Sequence, residues 1–89
     1  MAQFREYGAP VNLTGSGIVS KAGGTLLGFY VNSTTAGTIV LRDGITATST
    51  VITGTITPAI GWREFPAEMP KGCYATIANT LDVTFMFAA

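Results

Sequence analysis

TLLGFYVNSTTAGTIVLRDG, residues 25–44, holds two runs of apolar, β-branched and aromatic residues joined by the polar link Ser33-Thr34-Thr35-Ala36-Gly37. Such runs around a short polar link are how a β-hairpin is written in sequence, so the stretch predicts a central hairpin. Side chains alternate across a strand. Alternation puts Leu27, Phe29 and Val31 on one face of the first arm and Leu26, Gly28 and Tyr30 on the other. On the second arm Ile39 and Leu41 oppose Thr38, Val40 and Arg42. Both faces of the first arm are largely apolar, the pattern of a strand covered on both sides or meeting another chain on its second face. Gly37 is expected to supply a positive φ to the link, and Asp43-Gly44 marks the next turn.

Upstream, Met1 to Pro10 has no period and carries Phe4 and Tyr7 beside Arg5 and Glu6. Residues 1–10 read as an extended N-terminal arm, frayed or docked on a neighbour, ahead of a single domain over residues 11–89. Val11 to Ala22, interrupted by Gly15-Ser16-Gly17, predicts a bent strand with a bulge. Downstream, Ile45 to Ser49 reads as a loop. STVITGTITP predicts a half-wet strand with Ile52, Gly54 and Ile56 on one face, ended by Pro58. AIGWREFP predicts a brief strand that sets Trp62 and Phe65 at the core edge, and AEMPKG a turn. In GCYATIAN, Cys73, Ala75 and Ile77 share a face, and Asn79-Thr80 is expected to reverse the chain. LDVTFMF then places Leu81, Val83, Phe85 and Phe87 on one face in a strict period of two. No segment sustains a 3.6-residue period, so almost no helix is expected. The sum is an all-β chain of seven to eight short antiparallel strands, a small β-sandwich or flattened barrel.

Composition narrows the function. A chain of 89 residues makes one domain that buries about 60–65% of its unfolded surface, a thin margin. Only 11% of the residues are charged, against about 25% in an average soluble domain, which points to surface hidden in an assembly. Five Lys+Arg balance five Asp+Glu, leaving no basic field to draw nucleic acid or anionic lipid. The N-terminus lacks a signal-peptide pattern and no run of about 18 apolar residues occurs, so the expectation is a soluble protein made in a cytoplasm. The single Cys73, in an apolar run, reads as a small buried side chain.

Chemistry is sparse. There is no His, and one Cys cannot build a zinc site. Glu64 and Glu68 have the spacing of a carboxylate pair, with Asp43 and Asp82 as single acids, but so small a chain cannot wall a substrate cleft. GSG and AGG lack the Lys-Ser/Thr ending and following helix of a phosphate loop. No enzyme, catalytic residue, metal, cofactor or small-molecule substrate is expected. Trp62 with Tyr30 and Tyr74 could form an aromatic platform for sugar rings. The competing reading, favoured by the preference of Trp for burial, makes Trp62 a rim residue closing one end of the core.

Four stretches, APVNLT, GTLLGFYVNSTTAGTIVLRDG, ITPAIGW with the following FP, and GCYATIANTLDVTFMF, resemble small structural proteins of tailed bacteriophages and prophages, over about Ala9 to Phe87. The resemblance implies a β-sandwich virion component: a capsid decoration, or cement, protein on the capsid surface, assembled in the host cytoplasm. It would stabilise the head shell by self-association and by contacts with the major capsid protein. A neck or tail component is the alternative, then a carbohydrate-binding module. Closed symmetry on a shell favours a homo-oligomer, with a trimer the first expectation. The expected interface residues are Phe4, Tyr7, Tyr30, Val40 and Met86, large side chains lying off the assigned core face.

Overall fold

Residues 24–44 do not turn back on themselves. In the computed structural model, which describes residues 9–88, Gly24–Asp43 is one strand of 20 residues, labelled β3 once β1 (Ala9–Leu13) and β2 (Gly17–Ser20) are counted. Its partner is the long strand β6 (Cys73–Ala88), antiparallel from Thr25↔Ala88 to Asp43↔Cys73. Between them come the short β4 (Thr50–Val51) and β5 (Gly61–Met69). The expected hairpin is therefore corrected. Each apolar arm pairs with a matching apolar half of β6 rather than with the other arm: Leu26, Phe29 and Val31 meet Phe87, Phe85 and Val83, while Ile39 and Leu41 meet Ile77 and Ala75. A polar five-residue link can close a hairpin but does not compel one.

The link and its counterpart on β6 form a bend instead of two turns. Ala36 (φ 55°) and Asn79 (φ 63°) both adopt the left-handed conformation, and Asn79 Nδ2 donates to Ala36 O at 2.8 Å. Asn tolerates this region because its side chain bonds locally; Ala does so at a cost of about 1–2 kcal/mol. The positive φ thus sits on Ala36, not on Gly37. Gly37 is required for a different reason: a Cβ there would lie 2.7 Å from both Leu81 Cβ and Thr80 O. The two neighbours should respond in opposite directions in urea unfolding. Gly37→Ala is expected to lose about 1–3 kcal/mol to overpacking. Ala36→Gly is expected to be neutral or to gain up to about 1 kcal/mol, relieved strain being partly offset by a freer unfolded chain. Equal losses at both positions would remove the bend from the account.

Bulges decide which side chains face inward. β6 keeps one parity throughout: Cys73, Ala75, Leu81, Val83, Phe85 and Phe87 are all buried. β3 slips against it between Leu26 and Gly28, between Val31 and Ser33, and between Thr35 and Thr38. The first slip, at Leu27, carries Leu26 onto the same face as Phe29 and Val31, where it is fully buried. Strict alternation had put Leu26 opposite them, because a bulge adds one residue to the count. On the second half Ile39 and Leu41 face inward as expected.

The remaining strands flank this ribbon in one open antiparallel sheet. β1 and β5 flank the half built from the start of β3 and the end of β6; β2 and β4 flank the other half. β1 and β2 both pair with β6 and are separated by the bend at Gly15-Ser16. There Ser16 Oγ accepts from Ile77 N (2.8 Å) and donates to Ile77 O (3.2 Å), replacing the missing backbone pairing. The STVITGTITP segment reduces to Thr50–Val51 as regular strand, after which it follows the β3 edge irregularly: Ile52 N donates to Leu41 O, and Ile39 and Ile56 exchange backbone bonds. Six strands thus stand among the described residues, because the two hairpin arms are one strand and GCYATIAN and LDVTFMF are another. No helix occurs among them.

Inward side chains from both halves make one core: Val19, Leu26, Phe29, Val31, Ile39, Leu41, Met69, Cys73, Ala75, Leu81, Val83, Phe85 and Phe87, with no polar residue buried among them. Ala9 and Pro10, assigned to the N-terminal arm, pair with Phe87 and Met86 in β1. Residues 1–8 of that arm lie outside the described residues.

Candidate functional site

The outward face of the β1–β6–β3–β5 half carries the exposed aromatic residues Tyr30 and Trp62 beside a set of polar side chains. Four strands supply one row across it: Asn12 on β1, Thr84 on β6, Tyr30 on β3 and Trp62 on β5 are consecutive cross-strand partners. Three interstrand spacings make the row about 14 Å wide. A second row, Pro10–Met86–Gly28–Glu64, lies beside it. On the other side of the first row, Asn32 and Asp82 join through their side chains.

The aromatic end is built around a glycine. A Cβ on Gly28 would fall 2.7 and 2.8 Å from the six-membered ring of Trp62, so the indole lies over the bare backbone of Gly28. A larger residue there would lift the ring off the sheet. Even so, Trp62 remains 51% exposed and Tyr30 46% exposed. Trp62 does not close an end of the core, as its preference for burial suggested; Phe65, three residues on, packs against the core instead. The reason is parity: Phe65, Ala67 and Met69 take the inward positions of β5, and Trp62 takes an outward one.

The polar end is a hydrogen-bonded set. Asp82 Oδ1 accepts from Asn12 Nδ2 (2.7 Å) and from Asn32 Nδ2 (3.2 Å). Both amides also donate to Thr84 Oγ1 at 3.2 Å, and Asn12 Nδ2 further donates to Val83 O at 3.2 Å. One carboxylate thereby orients two amides from strands on either side of it.

The expected interface residues fall on different parts of the molecule. Tyr30 and Met86 belong to this face. Val40 lies on the other half, paired with Thr76. Phe4 and Tyr7 are outside the described residues. Tyr74 pairs with Arg42 and Ile18 on that other half, so the three-aromatic platform does not assemble: Tyr30 and Trp62 are neighbours and Tyr74 is apart. The Asn12, Asn32, Asp82 and Thr84 set was not legible in the chain, since its members come from three strands and meet only through register. The Asx and Thr residues on outward positions of β1, β3 and β6 were its sole trace.

The acids do not gather. Glu64 and Glu68 are exposed on β5, which keeps the expected strand at Glu64 and runs on through Glu68, where a turn was expected. Asp43 Oδ1 accepts from Lys71 N at 2.9 Å and so ties the β5–β6 turn to the end of β3. Among the described residues no three His, Cys, Asp or Glu side chains approach closely enough to hold a metal ion. Cys73 is fully buried, and burial, with a smaller contribution from Asp43, pushes its thiol up to about 12.

No protein-family model matches the chain, and neither a curated protein nor a solved structure matches it.

Proposed function

We propose that the chain is a structural protein of a bacteriophage virion, a capsid decoration protein that self-associates and contacts the major capsid protein to stabilise the head shell. The observation that carries the assembly role is at the β3–β4 end. Ile45, Val51 and Ile52 are between 41% and 50% exposed there, although the core is complete without them. Three large aliphatic side chains at one end of a sparsely charged domain gain free energy by meeting another surface, at about 25 cal/mol per Å² of apolar area removed from water. Val40 lies on the same half. The stretches that resemble phage structural proteins supply the virion context. In this reading the bent sheet is the body of a small sandwich or flattened barrel. Binding confined to the assembled shell adds stability at every occupied site by mass action.

Sedimentation equilibrium of the full chain tests self-association, with a trimer expected and Val51→Asp or Ile52→Asp shifting it toward monomer. Immunogold labelling of particles from the phage or prophage that encodes the chain then tests placement. Label over the head supports decoration, and label at the neck or tail replaces it with a connector role. A strict monomer absent from purified particles would overturn the proposal.

A further inference from the structure

We propose that the outward face bearing Trp62, Tyr30, Asn12, Asn32, Asp82 and Thr84 is a binding site for neutral glycans. The inference is independent of the assembly role, which uses the opposite, β3–β4 end of the sheet.

A pyranose ring has two chemically distinct parts: a face of C–H groups and a rim of hydroxyls. Trp62 meets the first. Its indole lies over Gly28 with half of its surface open, so it is held against the sheet while offering an apolar, electron-rich surface to C–H groups. Tyr30, its direct cross-strand partner, extends that surface and adds a phenolic hydroxyl.

The polar set meets the rim. A sugar hydroxyl is both donor and acceptor, and its strongest partner is an ionised carboxylate. Because both amides point their NH2 groups at Asp82 Oδ1 and Thr84 Oγ1, their oxygens are turned elsewhere. Asp82 Oδ2 and the two amide oxygens have no hydrogen-bond donor among the described residues. Three acceptors therefore stand beside two aromatic side chains, already oriented before a ligand arrives. Preorganisation of this kind lowers the entropy lost on binding.

Charge selects the ligand. Among the described residues, Asp82 and Glu64 are the charged side chains on the two rows and their flank, and both are acidic, while Arg63 pairs with Phe29 and so alternates away from the outward parity of Trp62 and Glu64. A sialylated, sulfated or uronic glycan would bring like charge onto the face, whereas a neutral hexose chain brings hydroxyl donors. An apolar protein surface covering the same face would leave the Asp82 carboxylate buried without donors for its second oxygen, which is costly.

Trp62 is the only tryptophan, so its emission reports on this face alone. The full-length protein is titrated with hexasaccharides of glucose, mannose, xylose and N-acetylglucosamine, and with oligogalacturonate as the acidic control. At least one neutral oligosaccharide should quench or blue-shift the emission saturably, with oligogalacturonate inactive. Asp82→Asn, which keeps the shape and the tryptophan, should weaken that binding at least tenfold. Tyr30→Ala, followed by calorimetry, should weaken it similarly while thermal unfolding stays cooperative. The proposal is overturned by silence across the neutral panel, by preference for the acidic chain, or by binding indifferent to Asp82→Asn. A Trp62 signal that changes with protein concentration and not with sugar would assign the face to a second copy, and would overturn it equally.

Discussion

Phe29→Ala is expected to abolish cooperative folding, while Tyr30→Ala, one position away, leaves the protein folded. Phe29 is fully buried and packs on Phe85, its direct cross-strand partner, with ring centroids 5.7 Å apart and planes tilted by 55°. Truncating a buried Phe costs about 3–5 kcal/mol in transfer and cavity terms, and the tilted aromatic pair adds roughly 0.5–1.5 kcal/mol of its own. Domains have only about 5–15 kcal/mol in total, and small ones lie toward the low end. Tyr30 points outward and is nearly half exposed, so its loss should stay below about 1 kcal/mol. Urea unfolding followed by circular dichroism measures both, and Phe29→Leu supplies a milder variant for a measurable midpoint. A folded Phe29→Ala beside an unfolded Tyr30→Ala would mean that the faces of β3 are inverted.

The second large effect is alkaline. Burial, then Asp43, pushes the Cys73 thiol from 9.0 to about 12 in the folded protein. Above pH 9 the unfolded chain ionises this thiol first, so the unfolded state gains and the folded state does not. Stability is therefore unaffected by Cys73 below pH 9 and is lost as pH rises toward 12. The slope is about 1.4 kcal/mol per pH unit, roughly 4 kcal/mol over the window. Cys73→Ala removes the titrating group. Tyrosines and lysines also ionise at these pH values, so the measurement is the difference in urea midpoint between the two proteins at pH 7, 9, 10 and 11. The gap should close or reverse as pH rises. A constant gap would show that Cys73 ionises freely in the folded state.

Both effects were partly readable in the chain. Phe85 stood at an inward position of a run with a strict period of two, Phe29 on the assigned core face of a run apolar on both faces, and Cys73 sat in an apolar segment beside Ala75 and Ile77. Alternation works here because a strand with one buried face leaves no choice of parity. It failed at Leu26, where a bulge at Leu27 shifts the count. Bulges are settled by what lies across the ladder, in this case Phe87 and Met86 on a strand some sixty residues later in the chain.

By itself, the sequence determined that the protein is all-β, that one face of each long run forms the core, and that Gly44 and Gly72 punctuate turns. These are consequences of period, volume and backbone freedom, which act within a few residues. Only the tertiary structure decided that residues 24–43 and 73–88 are two unbroken strands paired along their whole length, bent where Ala36 meets Asn79. The same register set Asn12, Asn32, Asp82 and Thr84 in hydrogen-bond contact beside Tyr30 and Trp62. A polar link or an Asn-Thr pair permits both a turn and a bend. The choice between them falls to long-range pairing, whose free energy depends on the partner strand and not on the link.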